Sequence, residues 1–315
     1  MKSIGGTRKK SDFVKKGCEI IALLLTAALF ILKVVIGLMI WWGNPSLIWI
    51  DVSLPDALQN ATYKLTIAPS EWGHAMWPFL FLCEIAWIFF AWTFTCRKTK
   101  HRTIFAGVYP AYWFVCLLNI GWALSWGKLF PELGLAFGAL QSLLLILCVA
   151  MLSGHLYFIT GDLKYIGFNT SLRVARVLVL NIFAAYTAWS VIQTLFNLGS
   201  VLQHNAQLHP DTTSTIVLSL LGSITVTYFL MECTILDWFL RSVFVVYPVV
   251  VWSLAGVLVE NWNGVDEADR NELFSLVLAC TCGALFLVRI MLICVFMKVR
   301  PLAEYEKEGE EKLPF

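Results

Sequence analysis

Eight long apolar segments, separated by shorter polar stretches, organise this chain. Each is close to the ~20 residues that an α-helix needs to cross the hydrocarbon core of a bilayer. The pattern therefore predicts an all-α polytopic membrane protein with eight transmembrane helices. Their approximate positions are 19–42, 75–95, 104–126, 131–153, 175–199, 213–233, 242–260 and 273–297.

Composition agrees with that class of protein. Hydrophobic residues make up 59% of the 315 positions and charged residues only 14%, whereas soluble domains carry about 25% charged residues. The lipid bilayer is therefore the first expected partner. The net charge is only +2 and no basic patch rises above the flanks of the spans, so nucleic acid is not an expected partner.

The basic residues give an orientation. If the N-terminal stretch starts in the cytoplasm and each span changes sides, 18 of the 23 Lys and Arg residues lie inside, 3 lie outside and 2 lie within spans. Such a bias is what the positive-inside rule describes. We therefore expect both termini to be cytoplasmic. The membrane itself, endomembrane or plasma membrane, stays open.

The longest outer loop on this topology, 43–74, contains the sequon Asn60-Ala61-Thr62. Such a tripeptide accepts a glycan where it faces the lumen of the secretory pathway. Asn60 is therefore a candidate glycosylation site. Asn169-Thr170-Ser171 also matches the pattern, but the topology puts Asn169 in the cytoplasm, where it would be silent.

Polar-tipped residues lie deep within two of the predicted spans. Tyr186, Trp189 and Asn197 follow one another on the fifth span, and Asn119 and Trp122 lie on the third. An amide, indole or phenol is costly in hydrocarbon unless it finds a hydrogen-bond partner. Their placement favours a site inside the bundle over a surface that faces lipid.

These residues also carry a family resemblance. Asn119 and Trp122 match the Asn-x-x-Trp pattern of the third span in the tryptophan-rich sensory protein family, the TspO/MBR or translocator-protein type. Tyr186, Trp189 and Asn197 match the pattern of its fifth span, with Ala185 where a proline usually stands. The second span is entered through a Pro- and Trp-rich stretch, here PSEWGHAMW at 69–77, with His74 where relatives usually have Phe.

The resemblance covers about residues 19–200 and implies a five-helix bundle with a cavity for flat or amphipathic apolar molecules. Porphyrins (haem among them) and sterols are the implied ligands, and sensing or translocation is the implied activity. The implied domains are a basic tail (1–18), the five-span bundle (19–200), three additional spans (201–298) and a charged tail (299–315), as in the longer eukaryotic relatives. The implied ligand-binding residues are Trp77, Trp87, Asn119, Trp122, Tyr186, Trp189 and Asn197.

Other interpretations of the same residues stay open. Tryptophans near the ends of spans, Trp72 and Trp77 among them, also fit an interfacial aromatic belt. His74 could ligate a haem iron, although this is the minor alternative. The three additional spans could cap the bundle, gate it or form a homo-oligomer interface.

Charged residues inside the spans form a second feature. Lys33 and Glu84 each lie nine residues from the outer end of neighbouring spans, roughly 13 Å deep at ~1.5 Å per residue. An unpaired charge there costs at least ~2.5 kcal/mol, so an ion pair is expected. Glu232 and Arg289 could pair in the same way near the inner side.

These pairs define the competing hypotheses. A structural role in fixing helix register is the preferred interpretation. The alternative function is a secondary transporter or channel whose pathway uses Lys33, Glu84, Glu232 and Arg289; a scaffold without a small ligand is a third. No catalytic motif or metal-ligand spacing is visible, so we expect neither an enzyme nor a bound metal, and no cofactor is certain.

Overall fold

The computed structural model describes residues 4–41, 65–96, 104–127, 130–159, 169–262, 264 and 268–299. Within these ranges all the long regular elements are helices, and eight of them dominate. They are α1 (Ile4–Trp41), α2 (Met76–Cys96), α3 (Val108–Gly127), α4 (Pro131–Phe158), α5 (described next), α6 (Pro210–Cys233), α7 (Val246–Asn261) and α8 (Arg270–Val299).

Helix α5 is a composite. It begins as an α-helix, Asn169–Val174, continues as a π-helical turn, Ala175–Val179, and resumes as an α-helix, Leu180–His204. Two short helices complete the described elements. A 3-10 helix, Glu71–Ala75, leads directly into α2, and the one-turn helix Asp237–Leu240 lies between α6 and α7.

The eight helices coincide with the eight predicted segments, so the predicted all-α membrane architecture is confirmed. Seven of them are long and apolar enough to cross a membrane. Helix α7 is apolar but has only 16 residues, or ~24 Å of length, which is less than the ~30 Å of a hydrocarbon core. The prediction of eight full crossings is thus close, with α7 as the short member.

Helix α5 is the centre of the molecule. It contacts α2 and α4 on one side and α6 and α7 on the other. Of its most apolar window 67% is buried, against 17–39% for the other six candidate spans. Its sequence explains this position, because small residues such as Ala184, Ala185 and Ser190 allow neighbouring helices to approach closely.

The outer surface carries the apolar side chains that a bilayer would cover. Phe89 is 68% exposed and Leu287 is 64% exposed. In water such a surface would be a large aggregation-prone patch. Facing lipid tails, it is the expected exterior of a membrane bundle.

The segment before α2 joins the five-helix bundle to the three additional helices. The Ser70 backbone N–H donates to the Gly256 carbonyl at 3.0 Å, and the Trp252 indole donates to the Gly73 carbonyl at 3.0 Å. Gly73 and Gly256 face each other closely, since a Cβ built on Gly256 would lie 3.5 Å from the Gly73 Cα. The Trp72 ring packs edge-on against Trp252 at 5.0 Å, so Trp72 takes part in a contact between helical layers.

The structure bears on one of the predicted domain boundaries, the end of the basic tail. Residues 4–18, predicted as part of a separate basic tail, belong to the long helix α1. Asn60 and the predicted charged tail from residue 300 onward lie outside the described residues.

Candidate functional site: an aromatic cavity between four helices

Four of the predicted ligand-binding residues form one aromatic cluster. Trp77 of α2 contacts the other three. Its ring centroid lies 5.5 Å from that of Trp122 on α3, and 6.4 Å and 6.2 Å from those of Tyr186 and Trp189 on α5. Tyr186 and Trp189 face the same way because residues three apart lie on one side of a helix. The Trp77 ring therefore faces α3 and α5 inside the bundle.

A small cavity of about 10 Å³, room for about one water molecule, opens beside this cluster. Helices α4 and α5 supply most of its wall, and the spacing of the α5 residues marks one helix face. Gly138 permits the two helices to approach, since a Cβ there would lie 3.0 Å from Thr194 Oγ1. The lining residues are Trp77, Trp122, Gly138, Gln141, Ser190, Gln193 and Thr194.

Several polar groups around the cavity are bonded to one another. The Asn119 amide donates to Gln141 Oε1 at 3.3 Å, and the Gln141 amide donates to the Tyr186 hydroxyl at 3.4 Å. The Ser190 hydroxyl lies 2.9 Å from that of Ser142 on α4, a hydrogen-bonding distance. These contacts hold α3, α4 and α5 in register. Asn119 and Tyr186 do not line the cavity, but they position the lining residue Gln141.

Four buried N–H donors at the cavity and its aromatic cluster, by contrast, find no acceptor among the described residues, and Trp87 Nε1, away from the cavity, also lacks one. The four are Trp122 Nε1, Trp189 Nε1, Gln193 Nε2 and Asn197 Nδ2. Trp122 and Gln193 line the cavity, and Asn197 Nδ2 would lie 3.6 Å from a Cβ on Gly138, another lining residue. A buried donor without a partner costs about 1–3 kcal/mol, so this concentration of donors indicates a site that an acceptor would complete.

An ion pair lies against the same cluster. Lys33 Nζ is 2.7 Å and 2.6 Å from the two carboxylate oxygens of Glu84, and the Tyr112 hydroxyl donates to Glu84 at 3.0 Å. Both charged residues are 1% exposed. The Lys33 ammonium also lies 4.9 Å from the centre of the Tyr186 ring, which connects the pair to the aromatic site.

A second charged cluster lies among the three additional helices. Arg289 Nε is 2.8 Å from Glu232 Oε1, and the Tyr247 hydroxyl donates to the other Glu232 oxygen at 2.7 Å. Arg289 Nη1 also lies 3.4 Å from Asp237, which in turn pairs with Arg241. Sequence reasoning missed Asp237 and Arg241; their spacing of four residues, typical of a helical ion pair, was the available signal.

Two residues considered as ligand contacts lie elsewhere. Trp87 does not line the cavity; its ring packs 5.0 Å from Tyr112 and 5.2 Å from Phe183. Ten residues separate it from Trp77, which is nearly three helical turns. His74 lies in the 3-10 helix before α2 and is not among the lining residues. Its position gives no support to haem ligation in the cavity.

Sequence reasoning also missed the polar wall of the cavity. Gln141, Ser190, Gln193 and Thr194 line it, and none had been singled out. A signal was present on α5, because Ser190, Gln193 and Thr194 continue the face of Tyr186 at intervals of three and four residues. Amides and hydroxyls on one face of an apolar span are the usual mark of an interior surface.

The fold and this cavity define a polytopic helical membrane protein with an aromatic, donor-rich interior site. The family model described as TSPO-like protein matches residues 55–295, and the chain belongs to that family. The matched region includes α6, α7 and α8, so the three additional helices are part of the family pattern. No curated protein and no solved structure matches the chain significantly.

Proposed function

We propose that the protein binds a hydrophobic or amphipathic ligand, a tetrapyrrole or a sterol, in the aromatic cavity and serves to sense or translocate it without converting it chemically. The single observation that carries the proposal is the joint presence of aromatic walls and four unpaired buried donors. Flat aromatic side chains offer ring contacts worth ~1 kcal/mol each beyond the area they bury. A few polar groups in a mostly apolar pocket orient the ligand.

Ligand entry requires the aromatic wall to move. The cavity holds only about 10 Å³, whereas pockets for drug-sized ligands measure roughly 300–1,000 Å³. Trp77 and Trp122 are only half-buried, so they are the side chains best able to rotate away from each other. Binding should therefore change tryptophan emission directly, and not through energy transfer alone.

The test is a titration of tryptophan emission with protoporphyrin IX and, separately, with a fluorescent sterol, on purified protein in micelles. We expect saturable quenching that weakens at least about tenfold in Trp189→Phe/Asn197→Ala, equivalent to ~1.4 kcal/mol. Trp87→Phe is the matched control, because this buried tryptophan belongs to the same bundle but lies away from the cavity wall. Equal affinity in the double variant and the control would refute the site assignment.

The competing function, a transporter or channel that uses the intramembrane charges, receives less support. Lys33 and Glu84 satisfy each other at close range, and Arg289 is matched by Glu232 and Asp237. Paired charges of this kind fix the register of neighbouring helices. A flux whose pH dependence disappears in Glu84→Gln would restore the transport hypothesis.

We also propose that both termini are cytoplasmic, on the distribution of basic residues between the loops. The proposal requires the short helix α7 to cross the membrane, because an odd number of crossings would put the two ends on opposite sides. Accessibility of an epitope tag at each end in selectively permeabilised cells tests it. Exposure of the two tags on different sides would overturn it.

A further inference from the structure

We infer that the end of the bundle where α1 begins is a binding surface for anionic phospholipids, the lipids that give the cytoplasmic leaflet its negative charge. The surface lies away from the aromatic cavity, so the inference does not depend on the ligand of that cavity. In the cell it requires the proposed cytoplasmic orientation of the termini. Three observations support it: the exposed charges at the two ends of the bundle, the length of α1 and the basic residues of that helix.

The exposed charged residues that the structure describes at this end are all basic. They are Lys16 on α1, Arg173 on α5 and Lys298 on α8. The Arg176 guanidinium at the start of α5 donates to the Leu156 carbonyl at the end of α4 at 3.2 Å. Similar contacts join the end of α8 to the residues before α7, those residues to the start of α5, and α1 to the start of α3. These helix ends therefore form one face, which we call the basic end.

Acidic residues near the basic end do not cancel this charge. Glu232 and Asp237 are buried, and each is paired with an arginine. At the opposite end of the bundle the pattern is reversed, since four acids and one arginine are exposed among the residues with described side chains. They are Glu132, Asp211, Glu260, Asp269 and Arg270. A negatively charged headgroup is therefore attracted to the basic end and not to the other.

Helix α1 extends the basic end beyond the membrane span. The apolar span starts at Lys16, but the helix starts at Ile4, so the residues between them form ~18 Å of helix at ~1.5 Å per residue. Residues 4–19 contain five bases and two acids. The bases are Arg8, Lys9, Lys10, Lys15 and Lys16, and the acids are Asp12 and Glu19. Clusters of four to eight basic residues directly beside a transmembrane helix are typical of segments that bind anionic lipids.

The positions of these bases along α1 match the depth of the lipid headgroups. The headgroup layer is roughly 5–8 Å thick on each side of the hydrocarbon core. Lys15 lies within that layer, and Arg8, the most distant of the five, lies ~12 Å along the helix from Lys16. Even if α1 is perpendicular to the membrane, Arg8 is only about 4–7 Å beyond the headgroups, which is less than the Debye length of about 8 Å at physiological ionic strength. All five bases are therefore within electrostatic reach of the membrane surface.

Spin-labelled phosphatidylserine and phosphatidylcholine give a matched pair of probes, since they share their acyl chains and differ in headgroup charge. The full-length protein is reconstituted in phosphatidylcholine vesicles, and electron spin resonance measures the fraction of each probe that the protein immobilises. We expect phosphatidylserine to associate at least about threefold more strongly. This preference should disappear when the salt concentration is raised from about 0.1 M to about 1 M, because the Debye length then falls from about 10 Å to about 3 Å.

Two variants assign the preference to the basic end. Arg8→Gln/Lys9→Gln/Lys10→Gln/Lys15→Gln removes four bases without changing any residue of the apolar span, and it should lose most of the preference for phosphatidylserine. Arg270→Gln is the matched control, because it removes an exposed base at the acidic end. The control should keep the preference of the parent protein.

Equal association of the two probes with the parent protein would overturn the inference. A preference that survives in the fourfold variant, or that Arg270→Gln removes equally, would overturn it as well. Both leaflets of the vesicles contain the probe, so the result does not depend on the orientation of the protein. Failure of this experiment would leave the aromatic cavity and the proposed orientation unaffected, whereas epitope tags on opposite sides of the membrane would overturn the orientation alone.

Discussion

The Lys33–Glu84 pair allows a quantitative prediction. Both side chains are 1% exposed, and the ammonium lies within 2.7 Å of both carboxylate oxygens. Glu84→Gln keeps the shape of the side chain but leaves the lysine charge buried without its counter-ion. Removal of one partner from a buried pair costs about 3–5 kcal/mol, and we expect that loss here. The hydrogen bond from Tyr112 to Glu84 is retained by the amide oxygen, so the loss reports the charge.

The assay is reversible unfolding of the purified protein in mixed micelles, compared with the double variant Lys33→Met/Glu84→Gln. The double variant removes the uncompensated buried charge, which causes the penalty in the single variant, and it keeps an amide oxygen at position 84 as the acceptor for Tyr112. It should therefore regain most of the lost free energy of unfolding. A single Glu84→Gln variant within ~0.5 kcal/mol of the parent, the range of an ordinary surface substitution, would refute the reasoning.

Three further predictions concern the cavity, the second charged cluster and the outer loop. Gly138→Ala adds a Cβ that would lie 3.0 Å from Thr194 Oγ1 on the cavity wall and should weaken ligand binding about tenfold, whereas Gly154→Ala on the same helix, where a Cβ meets nothing within 4 Å, should not; equal affinities would contradict the site. Arg289→Leu should lower the free energy of unfolding in micelles by about 3–5 kcal/mol, and an unchanged unfolding midpoint would count against the cluster. Asn60→Gln should abolish a glycan-dependent gel shift that Asn169→Gln preserves, and a shift that survives in Asn60→Gln would exclude that site.

The architecture could be predicted well from the sequence because lipid imposes one strong rule. A span must satisfy its own backbone and expose apolar side chains, so each long apolar run becomes a helix. The length of α7 was harder to predict. The seventh apolar run, 242–260, is long enough to span. Its first residues, however, form the turn that follows the helix Asp237–Leu240, so α7 begins only at Val246.

The centrality of α5 and the polar wall of the cavity could be predicted only in part. Tyr186 and Trp189 were found because large polar-tipped rings are conspicuous in an apolar span. Gln193 was overlooked, although it lies on the same face, since an isolated amide says little until its partners are known. Trp87 was predicted as a ligand contact from the family resemblance, but it lies nearly three helical turns from Trp77 and packs against Phe183.

Contacts between distant segments were beyond sequence reasoning. The close approach of Gly73 to Gly256 and the donation from Trp252 to the Gly73 carbonyl join residues that lie about 180 positions apart in the chain. Nothing in either local pattern identifies its partner. Such pairings are set by the packing of whole helices, which depends on the sum of many small contacts.

The most direct test of the ligand site is photoaffinity labelling of the protein in lipid nanodiscs with a sterol that carries a diazirine and a ketone, followed by mass spectrometric mapping of the adducts. The account predicts that adducts on the peptides containing Trp122 and Gln193 decrease when unlabelled ligand is added in excess. Adducts confined to lipid-facing positions such as Phe89, and unchanged by excess ligand, would contradict it.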